Sequence, residues 1–365
     1  MPPFVDSHFT VRKPAWHDLT GEYDHDDNPS TLDELLDWSG TNWEPVRAPV
    51  FATKESQTCM SKEGCNLLAV SVVNDKFHAC GRHSIQAQKA NHKVEALPQR
   101  QLGGYQTVQR SDNGDVINVA NASYEVFGNR EAAELVELLL ESTVVEGGVK
   151  FETGGSLKGG SLVWYLARLD SPIEIKGDSS PVYPYISVLN AHDGTAALRL
   201  LRHSIRIVCW NTWSAAEREG KAFSFRHTST IRDRIEDARD ALLKTQTEAE
   251  EWARYASEHL MVPMSDKQFD EFLELYVPMP PTGAISDRVE ANVLNTRGAI
   301  RKFHHSASCA SVAGTVYGAL QATTEYLDHG RGYRTQDTYL SRTMLKPEPA
   351  KAKALSLLKD LVGIG

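Results

Sequence analysis

The sequence predicts an α+β protein, with a mostly antiparallel β-sheet region followed by a helical C-terminal region. From Val50 to about Gly220, short runs of branched and aromatic residues such as NLLAVSVV and SLVWYLARL alternate with turn signals. The turns Asp112-Asn113-Gly114 and His192-Asp193-Gly194 offer residues that tolerate positive φ, as tight hairpins between antiparallel strands require. After Gly220, apolar residues recur at spacings of three and four, the period of amphipathic helices.

Three regions are predicted in order. Residues 1–52 form an N-terminal segment with one short helix, in which Thr31 and Glu34 have capping-box spacing and Gly40 ends the helix. Residues 53–220 form a β-rich core domain that a single helix interrupts near Asn129. Residues 221–365 form the helical C-terminal region.

The C-terminal helices follow from apolar spacing and capping residues. A helix of about 28 residues is expected from Ile231. Ser265 and Gln268 cap the next one. Three more are predicted over about 286–304, 308–327 and 349–362.

Composition sets broad limits on function. The 365 residues carry 48 acidic and 39 basic side chains, a net charge of -9, and 41% are hydrophobic. Such a chain can bury a core, which excludes disorder, collagen and a wholly basic nucleic-acid arm. No run approaches the roughly 20 apolar residues that cross a bilayer, and the first residues lack the apolar stretch of a signal peptide, so a cytoplasmic protein with no membrane partner is expected.

The five cysteines are interpreted as the reduced thiols of a cytosolic protein. Cys59, Cys65, His78, Cys80 and His83 are close enough in sequence to suggest a tetrahedral zinc site. Their spacing is poor, because only Cys80 and His83 form the tight pair that structural zinc sites use. The spacing therefore favours ordinary thiols and histidines of a hairpin, and no metal or cofactor is predicted.

The common catalytic and phosphate-binding motifs are missing from the sequence. It contains no GxSxG, HExxH, GxxxxGK[ST] or strand-linked GxGxxG pattern. The pairs Gly154-Gly155 and Gly159-Gly160 precede a strand, whereas a phosphate loop should lead into a helix N-terminus. Hairpin turns are the better interpretation of these glycines.

Positive charge is concentrated in one segment of this acidic chain. Between Leu198 and Arg234, eight basic residues stand against three acidic ones. Segregated positive charge suits a surface that binds a phosphate backbone, and nearby aromatic rings can stack on bases. The alternative is a solvated strand face paired with acidic helices, with the tryptophans in the core. The candidate nucleic-acid-binding residues are Arg199, Arg202, Arg206, Trp210, Trp213 and Arg226.

A third cluster lies near the end of a predicted helix. Glu325, Asp328 and His329 are at i, i+3 and i+4, so they share a helix face from which they could relay a proton or bind a metal. The more usual role of such residues is to satisfy the helix end.

Five segments in order resemble the motifs of a phage/plasmid-like protein family that carries a domain of unknown function. The matching segments are Pro14 to Leu19, Val108 to Gly114 followed by Tyr124, Gly159 to Leu169, Asn190 to Thr212, and Gly314 to His329. Two stretches depart from the family pattern, because Phe127-Gly128 stands ahead of Asn129 and the stretch from Cys59 to His83 looks like an insertion. The resemblance implies a mobile-element protein of a bacterial cytoplasm, and it supplies no reaction.

The favoured hypothesis is a non-catalytic DNA-transaction protein of a phage or plasmid that binds or anneals single-stranded DNA through a basic β-hairpin. One alternative is an acidic interaction protein that inhibits a host defence system. Another is an enzyme of unassigned type that uses His192 and Asp193. Single-stranded DNA, a host protein and a second copy of the chain remain open as partners.

Overall fold

The computed structural model describes residues 5–11, 25, 27–53, 59–60, 65, 67, 69–74, 77–97, 99–141, 149–169, 172–206, 211–214, 223–235, 245–281, 286–332 and 349–363. Its antiparallel sheets lie in the first two-thirds of the chain and helices dominate the last third, so the predicted α+β class is confirmed.

Thirteen strands are present within these residues. They are β1 (Val5–Thr10), β2 (Pro45–Thr53), β3 (Ser71–Val73), β4 (Phe77–Ala79), β5 (Val94–Ala96), β6 (Gln99–Arg110), β7 (Val116–Asn121), β8 (Val149–Leu157), β9 (Leu162–Leu169), β10 (Val182–Ala191), β11 (Leu198–Arg206), β12 (Asn211–Ser214) and β13 (Phe223–Phe225). The largest sheet has the order β1-β8-β9-β10-β11-β12, and β13 also pairs with β11. Two three-stranded sheets have the orders β2-β6-β7 and β4-β3-β5.

The predicted turns join neighbouring antiparallel strands. Gly114 between β6 and β7 has φ 76°, and Gly194 between β10 and β11 has φ 74°. Gly159 and Gly160 have φ 70° and 88° in the turn between β8 and β9. These values lie in the region that glycine adopts without steric cost, so the Gly159-Gly160 pair is a hairpin turn, as predicted.

The named helices are α1 (Leu32–Trp38), α2 (Gly81–Lys89), α3 (Asn129–Glu141), α4 (Thr245–Tyr255), α5 (Asp266–Tyr276), α6 (Asp287–His304), α7 (Val316–Glu325) and α8 (Pro349–Val362). Both predicted N-caps are confirmed. The Thr31 side chain accepts from the Glu34 backbone N–H, and Ser265 with Gln268 forms a complete capping box. Each interaction satisfies backbone donors that the first helical turn leaves unpaired.

One helix prediction is wrong in detail. The single helix expected over 308–327 is a 3₁₀ segment at Ala307–Val312, then Gly314 at φ 70°, then α7. A π-helical turn at Tyr326–Gly330 follows α7. The left-handed glycine interrupts the helical hydrogen-bond pattern, which apolar periodicity alone does not reveal. Of the long helix expected from Ile231, residues 231–235 and 245–255 are helical, and 236–244 lie outside the described residues.

Two hydrophobic cores hold the fold together. The first lies between the large sheet and the helices α1 and α3, and Tyr165 and Ile186 are among its buried members. The second lies among the C-terminal helices around Phe272 and Leu320, and Val182 of β10 joins it to the sheet. No helix among the described residues is long and apolar enough to cross a membrane.

Gly155 makes the close contact between β1 and β8 possible. A Cβ placed there would lie 2.4 Å from the Ser7 carbonyl oxygen and 2.7 Å from the His8 Cβ. We expect Gly155→Ala to lower the free energy of unfolding by about 1–3 kcal/mol, because the paired backbones must separate. Gly103→Ala is the control, since its added methyl group meets no atom within 4 Å. Urea unfolding measures both variants, and equal stabilities would contradict the packing argument.

Candidate nucleic-acid interface

Two of the predicted basic residues lie on or next to the β11–β13 pair. Arg199 lies opposite Ser224, and Leu198 lies opposite Phe225. Leu198 and Phe225 are buried in the first core, while Arg199 is half-buried and Arg226 is exposed. Because successive strand positions alternate between faces, Arg199 and Ser224 fall on the face opposite these core residues. Arg226 directly follows β13.

Neither of these arginine side chains has a hydrogen-bond or ion-pair partner within the part of the chain that the structure describes. Other surface arginines nearby are paired. Arg47 Nη1 lies 3.3 Å from Glu125 Oε2, and Arg232 Nη1 lies 3.6 Å from Glu125 Oε1. Arg232 also binds Glu131, with its Nε 2.5 Å from Oε1.

A backbone hydrogen bond links these ion pairs to the chain after β13. The Glu125 backbone N–H donates to the carbonyl of His227, the residue after Arg226, at 3.1 Å. We define the arginine surface as Arg47, Arg199, Arg226 and Arg232. Its four guanidinium groups outnumber the carboxylates of Glu125 and Glu131 by two. Sequence reasoning missed Arg47, because Arg47 and Glu125 are 78 positions apart and no local pattern joins them.

The other predicted residues occupy different positions. Arg202 and Arg206 lie in β11, and Trp213 of β12 pairs with Ser204. By strand alternation, positions 202, 204, 206 and 213 share the face opposite Arg199. Their side chains and the whole of Trp210 lie outside the described residues. The register therefore divides the predicted basic segment into two groups on opposite faces of β11.

Two aromatic residues of the segment belong to the interior. Phe225 is buried in the first core, and Phe223 packs against that core. Neither ring is therefore free to stack on a base as the sequence suggested, because each already contributes apolar contacts to the fold.

His192, the centre of the enzyme hypothesis, is a fully buried side chain. Its Nε2 lies 2.8 Å from Asn129 Oδ1, and its ring meets Trp43 edge-on at 5.6 Å. Burial, and to a lesser extent the neighbouring His227, lowers the pKa of His192 to about 3. The imidazole is therefore neutral at physiological pH.

Asp193 stabilises the turn that follows β10. Its Oδ1 accepts from the Thr195 backbone N–H at 3.0 Å and from the Thr195 hydroxyl at 2.6 Å. These bonds are those of an Asx-turn, so His192-Asp193-Gly194 has a structural explanation as a hairpin turn.

In the predicted cluster of Glu325, Asp328 and His329, the two carboxylates contact different partners. Glu325 accepts from the Ser308 hydroxyl at 2.7 and 2.9 Å. Asp328 forms a buried ion pair with Lys351 of α8, with Nζ 2.7 Å from Oδ1. These contacts join neighbouring helices, which is the structural role that helix-end residues usually have.

The cysteine-rich stretch gives an arrangement that the sequence spacing did not indicate. Cys59, Cys65, Cys80 and His83 bring their ligand atoms within 4.8 Å of one another. Of the five candidates, His78 lies in β4, and its side chain is outside the described residues. A backbone hydrogen bond with Leu67 favours the Cys65 thiolate, but desolvation and the neighbouring Cys59 and Cys80 outweigh it and raise the pKa of Cys65.

The family model described as domain of unknown function (DUF932) matches residues 116–346, which is more than half of the chain. The chain belongs to the DUF932 family. The matched range includes β7 to β13 and most of the C-terminal helices, and therefore most residues of both core clusters. The cysteine-rich stretch lies before the DUF932 match. None of the curated proteins and none of the solved structures matches the chain.

Proposed function

We propose that this DUF932 protein binds single-stranded DNA through the arginine surface, as a non-catalytic DNA-transaction protein of a phage or plasmid. The observation that carries the proposal is the pair Arg199 of β11 and Arg226, which directly follows β13, because neither has a partner among the described residues. A guanidinium that has no ion-pair partner among the described residues is available to bind a phosphate, because its planar fork of donors fits phosphate oxygens.

The pairing pattern around this site supports the assignment. Arg47 and Arg232 both reach Glu125, so one carboxylate is shared by two guanidinium groups. This network holds both arginines on Glu125, whose backbone bonds to His227, and Arg199 and Arg226 add two positive charges to it. Local positive charge of this kind allows an acidic protein to bind a polyanion, because the interaction falls off within about 10 Å at 0.1 M salt.

The paired positions of β11 and β12 carry the other predicted residues. Position 213 pairs with position 204, between positions 202 and 206, and the side chains at 202, 206 and 213 lie outside the described residues. The arginine surface alone therefore carries the proposal. The resemblance to a phage/plasmid-like family supports DNA as the polymer.

The test is fluorescence anisotropy with a labelled single-stranded oligonucleotide at low salt. We expect the wild-type chain to bind and Arg199→Ala with Arg226→Ala to weaken affinity about tenfold, because two phosphate contacts are lost. Replacement of both residues by lysine should retain most of the affinity, since the charges remain.

Arg288→Ala is the matched control, because Arg288 is an exposed arginine on α6 in the second half of the chain. It should bind like the wild type. Absence of wild-type binding at low salt, or an equal loss in the Arg288 variant, would overturn the proposal.

A further inference from the structure

Cys59, Cys65, Cys80 and His83 converge in the geometry of a tetrahedral metal site. The Cys59 Sγ lies 3.0 Å from His83 Nδ1, and the Cys80 Sγ lies 3.5 Å from the same nitrogen. In a tetrahedral zinc site with the usual bond lengths, neighbouring ligand atoms are about 3.5–3.8 Å apart. All four ligand atoms here lie within 4.8 Å of one another, so small adjustments of their separations place one ion between them.

Two structural elements supply the four ligands. Cys59 and Cys65 come from a loop that a backbone hydrogen bond from Cys59 N–H to the Leu67 carbonyl closes at 2.8 Å. Cys80 and His83 come from the start of α2, after the hairpin of β3 and β4. Two ligands that precede β3 and two at the start of α2 meet around one point, as the ligands of a structural zinc site do.

The cap of α2 is consistent with a thiolate ligand. Cys80 occupies the N-cap, where Ser, Thr, Asp or Asn usually bonds to the helix backbone, yet its side chain makes no capping bond. Its sulfur is directed to His83 instead. The positive end of the helix dipole stabilises negative charge at that position.

The described residues of segment 59–96 contribute few apolar side chains to a core. Among the residues that the structure describes, neither core cluster contains one between Trp43 and Phe127, and β3, β4 and β5 have three residues each. The buried apolar side chains described in this segment, besides two cysteines, are Ala69, Val73 and Ala79. Units of fewer than about 40 residues usually need a disulfide, a metal or a partner to remain folded.

We propose that Cys59, Cys65, Cys80 and His83 bind one Zn²⁺ in a structural Cys₃His site that holds residues 59–96 in their fold. Three sulfurs and one imidazole nitrogen in tetrahedral array are the ligand set that selects zinc among the abundant divalent ions. All four protein ligands fill the coordination sphere, so the site is structural and leaves no position for a substrate. This inference does not depend on the proposed DNA binding.

Elemental analysis of the full chain purified from zinc-supplemented cells tests the site. We expect about one zinc ion per chain in the wild type and less than about a tenth of that in Cys59→Ser, Cys80→Ser and His83→Asn. Cys309→Ser is the control, since Cys309 is a buried thiol in the second core and away from the cluster. It should retain the full zinc content. After exchange with Co²⁺, the wild-type chain should show the visible absorption of tetrahedral thiolate coordination.

Hydrogen exchange distinguishes a structural ion from an incidental one. Chelation should remove protection from β3, β4 and α2, while β9 and β10 remain protected because their core contains no residue of the segment. A wild-type chain without zinc and without a tetrahedral cobalt spectrum would overturn the proposal. So would full zinc content in the Cys59 and Cys80 variants, a disulfide between two of the three thiols, or unchanged protection after chelation.

Discussion

The wild-type protein should lose about 2–3 kcal/mol of unfolding free energy through His192 alone when the pH falls from 6.5 to 4.5. The pKa of His192 is lowered by burial from 6.5 to about 3 in the folded protein. Between these two pKa values, the His192 side chain binds a proton in the unfolded chain but not in the folded one. The stabilisation is therefore complete above pH 6.5 and is lost as the pH falls toward 3, at up to about 1.4 kcal/mol per pH unit.

The variant His192→Gln isolates this contribution. A glutamine amide nitrogen replaces the imidazole Nε2 that bonds to Asn129, and it does not titrate. Burial also lowers the pKa values of His227 and His304, so both proteins share an acid-induced loss from those groups. Urea unfolding from pH 4.5 to 7.5 should show a shallower dependence in the variant. The same pH dependence of the unfolding free energy in both proteins would contradict the assignment of His192 as a buried neutral histidine.

Lys351→Met should lower the free energy of unfolding by about 3–5 kcal/mol, because it leaves the Asp328 carboxylate buried without its cation. Each of the two side chains is 3% exposed, and Lys351 Nζ lies 2.7 and 2.9 Å from the carboxylate oxygens. The pair joins α8 to the π-helical turn after α7. Asp328→Asn combined with Lys351→Met should recover part of the loss, since no charge is then buried unpaired.

Arg301→Met is the matched control for this experiment. Arg301 pairs with Asp270 between α6 and α5, but the two side chains are 45% and 59% exposed. Exposed pairs contribute about 0–1 kcal/mol, so this variant should remain near the wild type in urea unfolding. A loss below 1 kcal/mol in Lys351→Met would show that Asp328 does not depend on the lysine for its burial.

Caps and turns were predictable where the residues that form them are close together in the sequence. The cap at Ser265 and Gln268 involves residues three positions apart, and the turn at Gly194 requires a positive φ that its own residues tolerate. The interruption at Gly314 of the helix expected over 308–327 was not predicted, because the apolar spacing continues through this residue. The Asp328–Lys351 pair could not be predicted, since the residues are 23 positions apart on different helices.

Strand pairing, more than composition, determines which of the candidate site residues lie together. The charge count predicted one basic surface, but the alignment of β11 with β12 and β13 places Arg199 and Arg202 on opposite faces. The cysteine spacing argued against zinc because only Cys80 and His83 form a tight pair, and the β3–β4 hairpin separates this pair from Cys59 and Cys65. Folding of that hairpin brings the two pairs together, and the sequence carries no direct signal of the distance.

The salt dependence of single-stranded DNA binding tests the central claim most directly. A plot of log affinity against log salt concentration should have a negative slope in the wild type, and removal of Arg199 and Arg226 should reduce its magnitude by about 1.4, or about 0.7 per phosphate contact. The control variant at Arg288 should keep the wild-type slope. Equal slopes in the wild type and the Arg199 and Arg226 double variant would contradict the arginine surface as the DNA-binding site.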